Sequence, residues 1–285
     1  MKKFYYVVNS GGEKEPFSFQ KVYQSAKRAG ASEFLARRIA ENVSQTLYPG
    51  IKTQEIFNKV KSLLRKENSK AAIKFSLKKA IQKLGPTGFP FEKYIGAIFE
   101  SFGFKVKLNQ YLSGLCLKYE IDFLAQEGKF LYVGECKYRN LLEEGSVHSY
   151  VALANYARFL DLKEGKFLSA GSLFKDFKIK SILVTDAKFT KDVIRFSRCR
   201  GVELLGWRYP KNKGLEYLIE SQNLYPITIL PSLKNYLAEI FVSKKIMLVK
   251  DFLKLDIFKF SKENKIPLND LKALVKEGKI LLGMK

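Results

Sequence analysis

The chain has 285 residues, a formal net charge of +23 at pH 7 and a sequence pI of about 9.7, which points to an anionic polymer as partner without choosing among DNA, RNA and an anionic membrane surface. One histidine, His148, excludes a His-rich metal cluster and a Ser-His-Asp arrangement, and three cysteines, Cys116, Cys136 and Cys199, lie far apart at no metal-ligand spacing, the usage of a reducing compartment. No secretory signal opens the chain and no apolar run is long enough to cross a bilayer, so the expectation is a soluble cytoplasmic protein of two modest domains, or one and a half with a tail.

In chain order, Phe4 to Val8, the turn Asn9-Ser10-Gly11-Gly12-Glu13-Lys14 and Pro16-Phe17-Ser18-Phe19 read as a short hairpin leading into a helix that carries Lys21. The helices that follow are rich in lysine, arginine and alanine. Gly11-Gly12 is no P-loop, because no Gly-Lys-Ser/Thr follows it. Lys21, near a helix start, is placed to meet an anion through its charge and the helix N-terminal amides.

These residues resemble an ATP-cone, the regulatory nucleotide-binding module found at the front of ribonucleotide reductases. Gly12, Glu15, Phe17, Ser18 and Lys21 match its layout. The resemblance implies that ATP or dATP binds without hydrolysis around Asn9, Gly11, Gly12, Glu15, Ser18 and Lys21. Asn9 and Ser10 replace the family's two basic turn residues and Gly11 its turn aspartate, so weaker or altered nucleotide binding is expected.

The cluster Gly85-Pro86-Thr87-Gly88-Phe89-Pro90 ends the helical run and marks a hinge, placing a first domain at 1–84. Phe89 to Phe99 then has helical spacing with Glu92 in its first turn, where a glutamate often serves only the helix dipole. Gly103 to Val106 reads as a strand, Leu117 to Ala125 as a second, Gln126-Glu127-Gly128 as a tight turn and Lys129 to Lys137 as the returning strand. Alternation puts Glu135 and Lys137 on one face and Cys136 on the other, buried one, with Asp122 near the matching end of the neighbouring strand. An Asp…Glu-x-Lys pattern is usually a solvated edge. Here the acids sit inside apolar strands, where unpaired charge costs several kcal/mol, and two converging carboxylates with open water positions suit Mg2+ or Mn2+. Tyr138 and Arg139, which follow Lys137, are candidates for contact with substrate phosphate.

The order of a helix with Glu92, three strands carrying Asp122 and Glu135-Cys136-Lys137, and the helix Val147 to Asp161 resembles the PD-(D/E)xK nuclease superfamily, most closely its Mrr-type restriction endonuclease branch and the related archaeal Holliday-junction resolvases. The stretches Ser181 to Thr190 and Cys199 to Trp207 resemble the Mrr-type continuation of strand, helix and strand. The resemblance implies that Asp122, Glu135 and the main-chain carbonyl of Cys136 hold the metal, that Lys137 is the catalytic lysine, and that Glu92 is an auxiliary glutamate. No proline precedes Asp122, a departure that removes no ligand. An ATP-cone fused to such a nuclease resembles a family of prokaryotic predicted restriction endonucleases, over most of residues 1–230.

The nuclease-like core is expected at 91–210, ending in the loop Tyr209 to Gly214, followed by a helical extension at 211–285 in which Leu233 to Leu253 and Leu268 to Leu282 have helical apolar spacing. Lys244 to Leu253 resembles a helix-hairpin-helix segment without its glycine hairpin; the plainer alternative is a helical cap. The expected fold is mixed α/β (α+β): a mainly helical ATP-cone with a short hairpin, a restriction-endonuclease-like αβββαβ core and a helical C-terminal segment. The expected function is Mg2+- or Mn2+-dependent cleavage of DNA, of restriction or repair type and regulated by ATP or dATP, with a homodimer or higher oligomer for double-strand cuts. The alternative is a nucleotide-responsive DNA-binding protein without useful turnover.

Overall fold

A computed structural model describes residues 5–9, 11–84, 89–139, 145–165 and 176–284; Ser10 and positions 85–88 of the expected hinge lie outside them. The N-terminal hairpin pairs β1 (Tyr6–Val8) antiparallel with β2 (Lys14–Pro16), and its turn uses Gly12 at φ 83, a left-handed conformation that favours glycine. Then come α1 (Phe19–Arg28) and α2 (Glu33–Gln45), each opened by a serine cap: Ser18 Oγ accepts from the Lys21 amide at 3.2 Å and Ser32 Oγ from the Leu35 amide at 3.2 Å. A two-residue strand that the sequence pattern does not predict, β3 (Ile51–Lys52), runs parallel to β1 and leads directly into α3 (Thr53–Glu67). The helices α4 (Ser69–Lys74) and α5 (Leu77–Gln82) complete the module. Ala26, Ala36 and Ala40 lie between Ile39, Val43, Val60 and Leu64, and their small side chains let the helices approach closely around one core.

The second part begins with α6 (Phe89–Ser101), which carries Pro90 in its first turn, where a missing amide hydrogen costs nothing. Three long strands follow as an antiparallel meander, β4 (Lys105–Ser113), β5 (Lys118–Glu127) and β6 (Phe130–Lys137), with Gly128 at φ 54 turning β5 into β6. The short β7 (Ser146–Val147) and the helix α7 (Ser149–Glu164) then carry the chain over one face to β8 (Lys178–Thr185), which is parallel to β6. Last come β9 (Lys188–Phe189), α8 (Lys191–Arg200) and β10 (Glu203–Leu205). The sheet order is β10-β8-β6-β5-β4, and β7 pairs separately with β9. The αβββαβ order expected from the sequence is therefore present.

Side-chain alternation divides the sheet between two helices. Phe91, Tyr94, Ile98 and Phe99 of α6 pack with Phe123, Ala125, Tyr132 and Cys136, while Leu162 of α7 packs on the other face with Leu124, Leu131 and Val133. Gly134 stands opposite Phe123 in the β5–β6 register, and a methyl group there would lie 2.2 Å from the fully buried Phe123 ring. Gly134→Ala is expected to cost about 1–3 kcal/mol through overpacking, read as a lower urea midpoint with an unchanged slope. An unchanged midpoint would contradict this packing.

The C-terminal part contains α9 (Leu215–Ser221), a 3-10 turn at Ile227–Ile229, α10 (Asn235–Ser243), α11 (Val249–Phe252), α12 (Ile257–Asn264) and α13 (Leu268–Leu282). The helical apolar spacing of Leu233 to Leu253 is divided between α10 and α11. Lys245 turns the chain at φ 59, the Ile246 amide caps the Phe241 carbonyl at 2.8 Å, and Leu248 bridges to Pro226. That spacing is satisfied by burying Phe241, Leu248, Val249 and Phe252 from two short helices and a turn. These side chains share one core with Tyr94 and Ile98 of α6 and with Ile81 of α5. Polar contacts tie the same parts together: Tyr94 Oη donates to the Leu224 carbonyl at 2.7 Å and Thr228 Oγ1 to the Ala80 carbonyl at 2.7 Å. Among the described residues, no helix is long and apolar enough to cross a membrane.

Candidate active site

The last ladder pair of β5 and β6 at this end is Phe123 with Gly134. Just beyond it, where the strands part, the Asp122 carboxylate takes over the hydrogen bond and accepts from the Cys136 amide at 2.6 Å. A strand residue sends its N–H and C=O to the same edge, so the Cys136 carbonyl also lies on the β5 side. Glu135 and Lys137 share the face of β6 that carries Leu131 and Val133. Lys137 is anchored through its main chain, its carbonyl accepting from Thr185 Oγ1 on β8 at 2.6 Å. Cys136 is turned into the core under α6, as expected, and burial together with the nearby Asp122, Glu92 and Glu135 charges pushes its thiol well above the ordinary range. It is no thiolate nucleophile.

Glu92 comes from the first turn of α6, and its Oε2 accepts from Asn109 Nδ2 at 3.2 Å. Asn109 sits in β4 at φ 52, between the pairs Leu108 with Phe123 and Gln110 with Ile121. That left-handed kink is one that asparagine tolerates. Glu135 Oε2 accepts from Arg158 Nη1 of α7 at 2.5 Å. Strands β4, β5 and β6 and helices α6 and α7 thus converge on one patch of carboxylates. Neither Asn109 nor Arg158 was picked out in the sequence. The available signal for Arg158 was its spacing from Asn155: a polar pair at i, i+3 on the helix face that otherwise buries Val151, Ala152 and Leu162.

Electrostatics at the patch favour a cation. Burial pushes the Asp122 carboxyl up to about 7, with the Glu135 charge adding to the shift, the Cys136 amide opposing it, Glu92 adding again and Arg158 opposing. Burial also raises Glu92, against its bond to Asn109, with Glu120 and Glu135 adding to the rise. Among the described residues, no group of three or more His, Cys, Asp or Glu side chains is arranged to hold a metal ion. The donors that are present, two carboxylates and a main-chain carbonyl, are hard oxygens of the type that Mg2+ or Mn2+ takes while keeping several waters. A buried carboxylate driven toward neutrality by a neighbouring carboxylate is also the group a divalent ion relieves, so the residues fit such an ion.

The raised Asp122 value carries a stability prediction. Between the ordinary carboxylate value of 3.8 and about 7, the folded state holds a proton that the unfolded chain has released. Its stabilising contribution is complete below the unfolded value and is lost as pH rises through the folded one. Metal-free Asp122→Asn, which keeps an oxygen for the Cys136 amide, should therefore be more stable than metal-free wild type at about pH 8, by on the order of 2–4 kcal/mol. The gap should close toward about pH 4. Urea unfolding at both pH values checks this, and a gap independent of pH would contradict it.

At the N-terminal hairpin, Asn9 Nδ2 donates to Glu13 Oε2 at 3.0 Å and to Glu15 Oε1 at 3.2 Å, and Lys21 Nζ pairs with Glu15 Oε2 at 3.0 Å. Asn9, Glu15 and Lys21 are thus brought together, with Gly11 and Gly12 in the adjoining turn, while Ser18 is occupied as the cap of α1. One further expectation shifts. Tyr138 does not face a cleft: its hydroxyl donates to the Gln82 carbonyl of α5 at 2.6 Å and its ring lies 5.7 Å from that of Phe91. The Arg139 amide donates to Asp186 Oδ1 at 2.8 Å. Alternation that turns Lys137 one way turns Tyr138 the other, toward the N-terminal module.

Residues 5–82 match the ATP cone domain family, which bears out the resemblance read from the hairpin and supports a nucleotide as regulatory ligand. Residues 225–282 match the family described as AF1548-like, C-terminal. A protein of Archaeoglobus fulgidus described as an uncharacterized protein is 34% identical over 143 residues, 50% of this chain and 75% of that protein. The crystal structure of a protein of unknown function, AF1548, superposes with a TM-score of 0.57 at 27% identity, covering 68% of this chain and 97% of that one. The MspJI restriction endonuclease in complex with a 27-mer oligonucleotide aligns at 14% identity and a TM-score of 0.34 over 62% of this chain and 36% of that one, a likeness too slight to carry an argument.

Proposed function

This chain belongs to the AF1548-like family, and we propose that it is a Mg2+- or Mn2+-dependent endonuclease that hydrolyses DNA phosphodiester bonds under nucleotide control. The observation that carries the reading is the geometry where β5 and β6 part: the Asp122 carboxylate, bonded to the Cys136 amide at 2.6 Å, meets the strand end that carries Glu135 and Lys137. In this reading residues 1–84 regulate, 91–210 cleave and 211–285 add a DNA-binding extension. Asp122, Glu135 and the Cys136 carbonyl would hold the ion, which when bound supplies Lewis-acid polarisation of the phosphate and lowers the pKa of a coordinated water. Lys137, on the face of Glu135, orients the attacking water and offsets the negative charge that grows on the phosphate. Glu92 and Asn109 hold further water at the patch. As the water oxygen bonds to phosphorus and gives up a proton to solvent, the phosphorus–oxygen ester bond breaks and the departing oxygen takes a proton from solvent. Cutting both strands brings in a second copy of the chain.

The net charge of +23 supports DNA as substrate. Binding should be mostly indifferent to sequence and steeply dependent on salt, each lost phosphate contact lowering the slope of log K against log salt by about 0.9. A flat affinity between low and physiological salt, measured by fluorescence anisotropy, would sink this part. A second reading, a nucleotide-responsive DNA-binding protein without turnover, is favoured by the Arg158 bond at 2.5 Å, which engages one oxygen of Glu135. Supercoiled plasmid incubated with the purified chain and Mg2+ or Mn2+ separates the two. Open circles support the nuclease; plasmid that is bound but stays supercoiled supports the second.

A further inference from the structure

A cation already stands at the carboxylate patch: the guanidinium of Arg158, whose Nη1 donates to Glu135 Oε2 at 2.5 Å and whose charge also acts on Asp122. It thus bears on both side chains assigned to the divalent ion. The pair is reachable from solvent, since the Arg158 side chain is 28% exposed and that of Glu135 21%. A guanidinium and a divalent ion compete for this carboxylate. Bound together they would set like charges side by side in a half-buried place, where repulsion is only weakly screened.

The helix that carries Arg158 is tied down on either side of it. One turn earlier, Asn155 Nδ2 donates to Ser181 Oγ of β8 at 3.0 Å. One turn later, the Asp161 carboxylate accepts from the Cys116 amide at 2.9 Å and from the Leu117 amide at 3.2 Å, in the turn between β4 and β5. With the backbone held at both places, release of Glu135 is a motion of the Arg158 side chain alone. Tyr119 of β5 gives the guanidinium a platform as it moves, its ring centroid lying 5.8 Å from Arg158 Cζ. The planar fork of an arginine matches a phosphate as well as it matches a carboxylate.

We propose that Arg158 is a metal-released phosphate clamp: in the metal-free chain it neutralises Glu135, and a divalent ion that takes Glu135 frees the guanidinium to bind an oxygen of the phosphate to be cut. The proposal rests on the metal-dependent nuclease reading and adds an order of events to it. Entry of the ion frees the group that grips the substrate. Metal and DNA then bind with positive coupling, and by linkage each tightens the other by the same factor. DNA bound without metal gains nothing from Arg158, which stays on Glu135.

Arg158→Gln in the full chain separates this role from a structural one. Calorimetric titration with Mn2+ in the absence of DNA should show binding about tenfold tighter than in wild type, the size of one charge-assisted hydrogen bond, because the competing cation is gone. Anisotropy on a duplex, in the slow-cleaving Lys137→Ala background, should show DNA affinity unchanged in EDTA and about tenfold weaker in Mn2+. The salt slope in Mn2+ should fall by about 0.9, one phosphate contact. A second comparison needs no metal: Glu135→Ala should tighten DNA binding in EDTA, and adding Arg158→Gln should erase that gain. Unchanged or weaker Mn2+ binding by folded Arg158→Gln would overturn the proposal, weaker binding making Arg158 a residue that positions Glu135 for the ion. An equal loss of DNA affinity in EDTA and in Mn2+ would overturn it in favour of a constant phosphate contact. No heat from folded wild type with Mn2+ would instead overturn the metal-dependent reading on which the proposal stands.

Discussion

Asp122→Ala and Glu135→Ala should each abolish DNA cleavage while leaving DNA affinity unchanged or tighter. Each substitution removes a hard oxygen donor from the patch where β5 and β6 part, and each subtracts negative charge from a surface that must receive phosphate. The two differ in one consequence. Without Asp122 the Cys136 amide loses its acceptor. Without Glu135 the Arg158 guanidinium loses its partner at 2.5 Å and turns to the DNA backbone, so Glu135→Ala is the variant expected to bind more tightly. Initial rates of plasmid nicking set beside anisotropy on the same duplex check both halves. Cleavage at the wild-type rate by a folded Asp122→Ala protein would remove the site.

Lys137→Ala should lower the single-turnover rate about 10²–10³-fold with little change in DNA affinity, the effect of deleting a group that acts mainly on charge developing in the transition state. Its position is fixed by the main chain, through the parallel register with Thr185 and the 2.6 Å hydroxyl contact. Truncation should therefore leave the strand where it is. A parallel loss in affinity and rate would recast Lys137 as a phosphate anchor.

Much of this site was legible because its information is local. Period-two alternation separates Glu135 and Lys137 from Cys136, and the turn at Gly128 folds β5 onto β6 so that Asp122 arrives near Glu135. Glu92 was legible as a first-turn acid. What could not be read is what the third dimension adds. Arg158 reaches Glu135 from a helix 23 positions away, and Asn109 reaches Glu92 only because its backbone kinks within β4. β3 was missed because two residues carry no periodicity. The break between α10 and α11 was hidden for the opposite reason: the apolar spacing from Leu233 to Leu253 is real, but a left-handed Lys245 and the bridge from Leu248 to Pro226 redirect the same side chains into the core. Tyr138 was a candidate for substrate contact from its nearness to Lys137 alone. Its hydroxyl instead joins the sheet part to the Gln82 carbonyl of the N-terminal module.

The central claim is that the carboxylates of Asp122 and Glu135 support metal-dependent hydrolysis of DNA. Its most direct test is single-turnover incubation of an end-labelled duplex with excess protein, with Mg2+ or with EDTA, for wild type and Asp122→Asn in parallel. The expected result is labelled product from wild type with Mg2+ and none in the other three reactions, although DNA is bound in all four. Product in EDTA, equal product from Asp122→Asn, or no product from a folded, DNA-bound wild type in Mg2+ or Mn2+ would contradict it.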